Sequence, residues 1–268
     1  MSGTTAAGGP GAAALPAVPG GPRDGGLPLV VAHRGNSSVA PENTLVAFEA
    51  AWRAGADLIE VDLQLARDGV AVVIHNDTVD ATTDGTGRVD DLDADELRRL
   101  DAGTWFSPRY RGAPVPTAIE LLAFLAERPG LGLLAEFKGA WQPDAARRVT
   151  EEIAGAGLHD RVIVQSFWTE TVAALRDVAP DLPRGLLLAD LPEDLVALCR
   201  ELRVMTVNPA GTLLVDEPGL VDALHGEGLR TMPWTLNEPA HWAAAVAAGV
   251  DAIITDRPDR LRGWLAAR

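Results

Sequence analysis

Two pairs of ionisable residues stand two positions apart in this chain: Glu60 with Asp62, and Glu136 with Lys138. Each pair sits in an otherwise apolar, β-rich run. Residues two apart on a strand face the same side, and neighbouring strands lie about 4.8 Å apart. Adjacent strands carrying these pairs would bring Glu60, Asp62 and Glu136 together. Three buried carboxylates repel one another unless a cation sits among them, and a hard divalent ion with oxygen ligands, Mg²⁺ or Ca²⁺, is the natural occupant. The alternative is that each carboxylate is paired separately with a neighbouring base. His33 and His75 each close an apolar β run, the place for acid and base work near neutral pH. Arg34 and Lys138 put cations beside the carboxylates, and a guanidinium fork fits phosphate oxygens. With a divalent ion they describe a site for a phosphoryl group. His159, His225 and His241 fall in helix ends or helical faces and read as surface residues.

The elements that must position these groups can be read from hydrophobic period. Strand patterns occupy residues 29–32, 58–63, 131–137, 162–165, 185–188, 204–207, 230–233 and 252–254. Several are continuous apolar runs, as parallel strands covered on both faces require. Helical patterns fall at residues 44–54, 118–126, 143–156, 170–178, 193–201, 218–225 and 238–248, with Leu45, Phe48, Ala51 and Trp52, then Ile119, Leu122 and Leu125, on the apolar faces of the first two. Alternation of this kind predicts a right-handed βα series closing into a (β/α)₈ TIM barrel. An open doubly wound sheet is the structural alternative. On a barrel, chemistry belongs at the C-terminal ends of strands, where His33, Gln165, Asn208, Trp234 and Asp256 also fall.

The interval between the second and third strands is too long for a simple crossover. It holds a further β run at residues 71–74 behind the turn Asp68-Gly69, a loop at 80–88 dense in Asp, Thr and Gly, and a short helix at 95–100. It reads as a small insertion after the second strand, about residues 76–117, and long structured loops on barrels usually serve a site. Residues 27–268 read as one barrel domain, near the roughly 250 residues typical of such folds. Residues 1–26, rich in Ala, Gly and Pro, read as a disordered tail with no apolar face to dock.

The net charge of −15 excludes a nucleic-acid partner and disfavours an anionic membrane surface. No apolar run reaches the roughly 18 residues of a membrane span. Cys199 is the one cysteine, so no internal disulfide forms; a buried structural thiol and a cytoplasmic location are the expectations.

The motifs, taken in order, resemble those of the glycerophosphodiester phosphodiesterase family. They are His33-Arg34-Gly35, Pro41-Glu42-Asn43-Thr44, Gly55 to Asp62, Asp68-Gly69, Val72-Val73-Ile74-His75, Thr82 to Gly87, Glu136-Phe137-Lys138, Gln165-Ser166-Phe167, Pro233 to Asn237 and Ile254 to Pro258. The resemblance spans residues 29 to 260 or so. It implies a barrel with a small insertion, and a metal-dependent enzyme releasing glycerol 3-phosphate and an alcohol by His/His acid–base catalysis. By position, Glu60, Asp62 and Glu136 match the family's ligands for one divalent ion, His33 and His75 its acid/base pair, and Arg34 and Lys138 its phosphate-binding cations. Glu42 matches a site carboxylate, as ligand or as support. Phe137 replaces a frequent aliphatic residue, and Asn76 separates His75 from Asp77. Trp234, with Phe167 and Trp105, forms a wall for glycerol, a core residue or an apolar face for a larger lysophospholipid substrate. A catalytically dead barrel acting as a scaffold is the other alternative, disfavoured because every reactive group is present.

Removing residues 1–26 should leave turnover of a glycerophosphodiester unchanged; a large fall in kcat/KM of the truncated chain would show that the tail serves the site.

Overall fold

The computed structural model describes residues 26–268, so the expected tail lies outside the described residues except for Gly26. Among the described residues nine strands run in chain order as β1 (Leu29–Ala32), β2 (Leu58–Leu65), β3 (Ala71–Val73), β4 (Gly132–Phe137), β5 (Val162–Ser166), β6 (Arg184–Leu188), β7 (Thr206–Pro209), β8 (Arg230–Thr231) and β9 (Ala252–Thr255). Strand β3 pairs antiparallel with the end of β2, and the other eight are parallel in the order β8-β7-β6-β5-β4-β2-β1-β9. Backbone hydrogen bonds from Asp251 to Thr231, Ile254 to Pro233 and Leu236 to Ile254 join the two ends of that order. With helices between the strands, this is a (β/α)₈ barrel.

The period of two divides each strand between two cores. Leu29, Val31, Leu58, Leu134, Ile163, Met232, Ala252 and Ile254 pack on one another inside the ring. Their alternates, among them Ile59, Val61, Leu133, Ala135, Phe137 and Val164, pack outward under the helices. The inward set therefore continues upward from Leu58 to Glu60 and Asp62, and from Leu134 to Glu136 and Lys138. Register completes the juxtaposition, with Asp62 beside Glu136 and Glu60 beside Leu134.

Outside the ring lie α1 (Leu45–Arg53), α2 (Ala94–Leu97), α3 (Ala118–Ala126), α4 (Pro143–Gly155), α5 (Thr169–Val178), α6 (Leu195–Leu202), α7 (Leu213–Asp216), α8 (Leu220–Gly226), α9 (Pro239–Ala247) and α10 (Pro258–Ala266). The sequence reading did not name α7 or α10. Helix α10 opens with Pro258 at its first turn, a favoured position, and buries Leu261 and Leu265. Ile119 and Trp52, expected on apolar helix faces, are exposed instead. Leu121 and Leu125 carry the buried face of α3, and the Arg128 guanidinium lies 5.5 Å from the Trp52 ring.

Strand β7, the sixth of the barrel, starts two residues later than its apolar run. Arg203 ends α6 in the left-handed region, and the Val204 amide bonds back to the Cys199 carbonyl, which ties Val204 to the helix end. The segment between β3 and α3 builds a small core of its own from Val79, Val89, Ala94, Leu97, Ala102 and Val115, resting on Val72 and Ile74. The Tyr110 hydroxyl donates to the Val39 carbonyl at 2.6 Å, which ties this segment to the loop after β1. Among the described residues no helix is long and apolar enough to cross a membrane.

Phe137 is fully buried between Glu136 and Lys138, and packs edge-on against Trp141 with ring centroids 4.7 Å apart. Phe137→Ala should cost about 3–5 kcal/mol in urea unfolding, the usual range for a buried aromatic. A loss under 1 kcal/mol or so would mean that β4 is not anchored from its outer face.

Candidate active site

The turn after β1 is shaped for close approach. Arg34 adopts φ 55° and Gly35 φ 86°, both in the left-handed region. A Cβ on Gly35 would lie 2.7 Å from the Ala47 backbone on α1, so only glycine fits. The turn aims the Arg34 amide at Glu60, donating to Oε2 at 3.1 Å. The loop before α1 then supplies one contact per residue. The Pro41 carbonyl accepts from the Thr44 hydroxyl, and Thr44 caps α1 by accepting from the Ala47 amide. Glu42 accepts from Arg34 Nη1 at 2.8 Å. Asn43 donates to Asp62 Oδ2 at 2.8 Å. A motif visible only as a string thus becomes a bracket for Arg34 and Asp62.

Glu60, Asp62 and Glu136 are all buried, and one oxygen from each lies within 4.8 Å of the others. Their titration shows the strain of that gathering. Burial first, then Asp62 and Glu136, pushes the Glu60 carboxyl well above the carboxylate range. Burial and Asp62 likewise push Glu136 up to about 7, against Lys138. Asp62 goes the other way: burial opposes its charge, but Arg34 and Lys138 outweigh it and hold it below the usual value. Arg34 Nε lies 3.2 Å from Asp62 Oδ2 without the alignment of a hydrogen bond, and Lys138 Nζ lies 3.5 Å from Asp62 and 3.3 Å from Glu136. Two cations against three carboxyls leave the cluster short of positive charge. Three hard oxygen donors at this spacing are a set that can hold one divalent ion.

Both histidines are oriented through Nδ1. His33 Nδ1 lies 2.7 Å from Asp256 Oδ1. Asp256 also accepts from Ser37 Oγ at 3.1 Å and Asn237 Nδ2 at 2.6 Å. Burial alone would raise the Asp256 carboxyl, but the contacts with His33, Asn237 and Ser37 bring it down to about 2, so it is an anion at neutral pH. His75 Nδ1 lies 2.9 Å from Asn76 Oδ1, and Gln64 Nε2 reaches the carbonyls of Ile74, His75 and Asn76, which fixes the backbone there. Burial first, then Arg34 and Lys138, lowers the His75 imidazole below its ordinary value, against Asp62 and Asn76. With Nδ1 engaged, Nε2 is the remaining nitrogen on each ring.

One cavity of about 120 Å³ is lined by His33, Arg34, Glu60, His75, Glu136 and Lys138 together with Phe167 and Trp234, and Asp62 lies buried beside it, against Arg34 and Lys138. His33, Arg34, Glu60, His75, Glu136, Lys138 and Trp234 line this cavity, Asp62 and Glu42 touch residues that do, and Trp105, offered as a wall, is not among the lining residues. Glu42 sits behind Arg34. Trp234 donates from Nε1 to the Asn208 carbonyl at 2.8 Å and meets Phe167 edge-on at 5.4 Å. Trp105 packs on Phe106, within the segment between β3 and α3. The sequence reading gave no role to Asn43, Asp256 or Asn237. Asp256 stood at a strand end in the list of rim residues, and that position was the available signal. His225, read as a surface residue, is half-buried against Asp251 at 2.9 Å. Asp251 also takes the Thr231 amide and Arg230, so His225 helps close the opposite end of the barrel.

A model of the glycerophosphoryl diester phosphodiesterase family matches residues 33–260, and the chain belongs to that family. It is 34% identical to a glycerophosphodiester phosphodiesterase of Caldanaerobacter subterraneus over 234 residues, 87% of this chain and 96% of the relative. The crystal structure of a glycerophosphodiester phosphodiesterase from Agrobacterium tumefaciens superposes with a TM-score of 0.78 at 31% identity, covering 88% of this chain and all of that one. A phosphodiesterase from Oleispira antarctica, solved in complex with the product sn-glycerol-3-phosphate, gives 0.81 at 25% identity, covering 90% and 97%.

The raised carboxyls predict an inverted pH response in metal-free protein. Glu136 takes its proton at about 7 when folded and near 4.5 when unfolded, so the folded state binds more protons between those values. Stability from this group is therefore present below pH 4.5 and lost as pH rises through 7. The metal-free Tm should fall between pH 5 and 8, Glu136→Gln should remove on the order of 5 °C of that fall, and added Mg²⁺ or Ca²⁺ should raise Tm more at pH 8 than at pH 5. Equal slopes in both proteins would rule this out.

Proposed function

We propose that this family member hydrolyses glycerophosphodiesters to sn-glycerol 3-phosphate and an alcohol, with one divalent ion held by Glu60, Asp62 and Glu136. The observation that carries this reading is a cluster of three buried carboxyls, two of which line one small cavity together with two cations and two histidine rings. A divalent ion there supplies Lewis acidity to a phosphate oxygen. Its capture relieves the repulsion that raises Glu60 and Glu136.

The chain's own residues do the rest. Arg34 and Lys138 bind the phosphate oxygens, and Glu42 holds Arg34 in place through its Nη1. Trp234, fixed by its bond to Asn208, gives the carbon skeleton of the substrate a flat wall beside Phe167. In-line displacement needs a base at the attacking oxygen and an acid at the leaving oxygen, on opposite sides of phosphorus. His33 and His75 fill these two roles through Nε2. Asp256 fixes the His33 ring, so that its Nδ1–H points away from the substrate. His75, lowered by its surroundings, is largely neutral at neutral pH. The attacking oxygen belongs to water, or to a glycerol hydroxyl of the substrate whose cyclic phosphate water then opens.

An assay of glycerol 3-phosphate release from glycerophosphocholine, with and without EDTA, tests the whole reading. Activity should vanish with EDTA and return with Mg²⁺ or Ca²⁺. His33→Ala and His75→Ala should each lower kcat on the order of 10²–10⁴-fold. A p-nitrophenyl ester, whose leaving group needs no proton, should partly rescue one of the two variants and so name the acid. Near-native rates in both variants on glycerophosphocholine would overturn the acid–base roles, and full activity in EDTA would overturn the metal.

A further inference from the structure

A neutral amide stands among the charged residues of the candidate active site. Gln165 is 1% exposed and lines the same cavity as Glu136 and Lys138. It lies level with Glu136 on the neighbouring strand, but the Glu136 carboxyl turns to Lys138 instead. Gln165 Oε1 accepts from Asn208 Nδ2 at 2.6 Å. Asn208 belongs to β7 and Gln165 to β5, so this bond passes over β6, where the residue paired with Gln165 is Gly185. A Cβ on Gly185 would lie 3.0 Å from Asn208 Nδ2 and closer still to Thr206 Oγ1. Gly185 is not one of the left-handed glycines, so space rather than backbone conformation explains it. The latch leaves Nε2 as the second polar atom of the amide, and none of the described residues accepts from it.

We propose that Gln165 Nε2 donates to a hydroxyl of the substrate's glycerol moiety, an inference that rests on the hydrolytic function proposed above. Position is the first argument. The three carboxyls and the two phosphate-binding cations come from β1, β2 and β4 or the residues just after them, and these strands are neighbours in the barrel. Gln165 on β5 opens a neutral stretch of the cavity wall that continues through Phe167, Leu187, Trp234 and Thr235. Charge is the second. Arg34 and Lys138 serve the phosphate oxygens, and charged donors hold an anion more strongly than an amide does. The amide is therefore left to a neutral oxygen, which a glycerol hydroxyl supplies. Preorganisation is the third. Asn208 fixes the amide before any ligand arrives, so little side-chain freedom is lost on binding. A buried donor that finds no acceptor costs free energy, so the site disfavours a ligand without that hydroxyl. Asn208 acts through Gln165 as a positioning residue, and its side chain is not part of the cavity wall.

Isothermal titration with Mg²⁺ present tests this with three phosphate monoesters. They are sn-glycerol 3-phosphate, 2-hydroxypropyl phosphate, which lacks the terminal hydroxyl, and 3-hydroxypropyl phosphate, which lacks the middle one. Three proteins are compared: wild type, Gln165→Met, which keeps the length and loses the donor, and Asn208→Ala, which removes the latch. Wild type should bind one of the two deoxy compounds on the order of tenfold more weakly than sn-glycerol 3-phosphate, as the loss of one hydrogen bond allows. In Gln165→Met that ratio should fall to about twofold or less, and in Asn208→Ala it should lie between. The ratio is taken within one protein, so a general loss of stability or of phosphate affinity cancels. No discrimination in wild type, or full discrimination in Gln165→Met, overturns the role of Gln165. If that variant does not fold, an undiminished ratio in Asn208→Ala overturns it. Choline release from glycerophosphocholine by wild type leaves the hydrolytic reading standing in each case. No choline release together with no binding of sn-glycerol 3-phosphate overturns both.

Discussion

The repulsion among Glu60, Asp62 and Glu136 is the interaction around which the mouth of the barrel is organised. Their oxygens lie within 4.8 Å of one another in a buried setting. No apolar packing could make that stable by itself, and the neighbouring residues are arranged to contain it. Arg34 is bent into the left-handed region so that its amide meets Glu60 while its side chain meets Asp62 and Glu42. Asn43 and Lys138 complete the shell around Asp62. The cluster still lacks positive charge, which is why two of its carboxyls hold protons more tightly than free ones do. Three carboxyls gathered this way can hold a cation, and the repulsion that an ion would relieve would add to its affinity.

The two ends of the barrel use acidic residues differently. At the closed end Asp251 is met by His225, Arg230 and the Thr231 amide, and joins strands β8 and β9. At the open end Asp256, five residues on, accepts from Ser37 and Asn237 and holds His33. One strand thus carries a structural carboxylate at its start and an orienting one at its finish. This division agrees with the general rule that barrel chemistry gathers at the C-terminal ends of strands.

Most of the frame was legible in the sequence because it depends on local period. Strand β1 and helix α3 fall where the pattern put them, and the spacing of two in Glu60–Asp62 and Glu136–Lys138 gave the inward face of β2 and β4 directly. What the pattern could not carry was contact between distant segments. Asn43 reaches Asp62 on the neighbouring strand β2, Asp256 reaches His33 from the end of β9 beside β1, and neither pairing has a signature in spacing. The exposed Ile119 and Trp52 show the same limit from the other direction: an apolar residue on a helix does not say which face the core will take. The late start of β7 came from a backbone bond at Val204 to the end of α6, which hydrophobic period does not register.

Isothermal titration of the metal-free protein with Mg²⁺ or Ca²⁺ near pH 6, repeated in buffers of different ionisation enthalpy, measures the central interaction directly. If the three carboxyls close on one ion, binding has a stoichiometry of one and expels protons from Glu60 and Glu136, at least about one per ion. Glu60→Gln and Glu136→Gln should each weaken binding and reduce the protons released. Binding with no proton release, or binding that is unchanged in both variants, would place the ion elsewhere and contradict this account of the site.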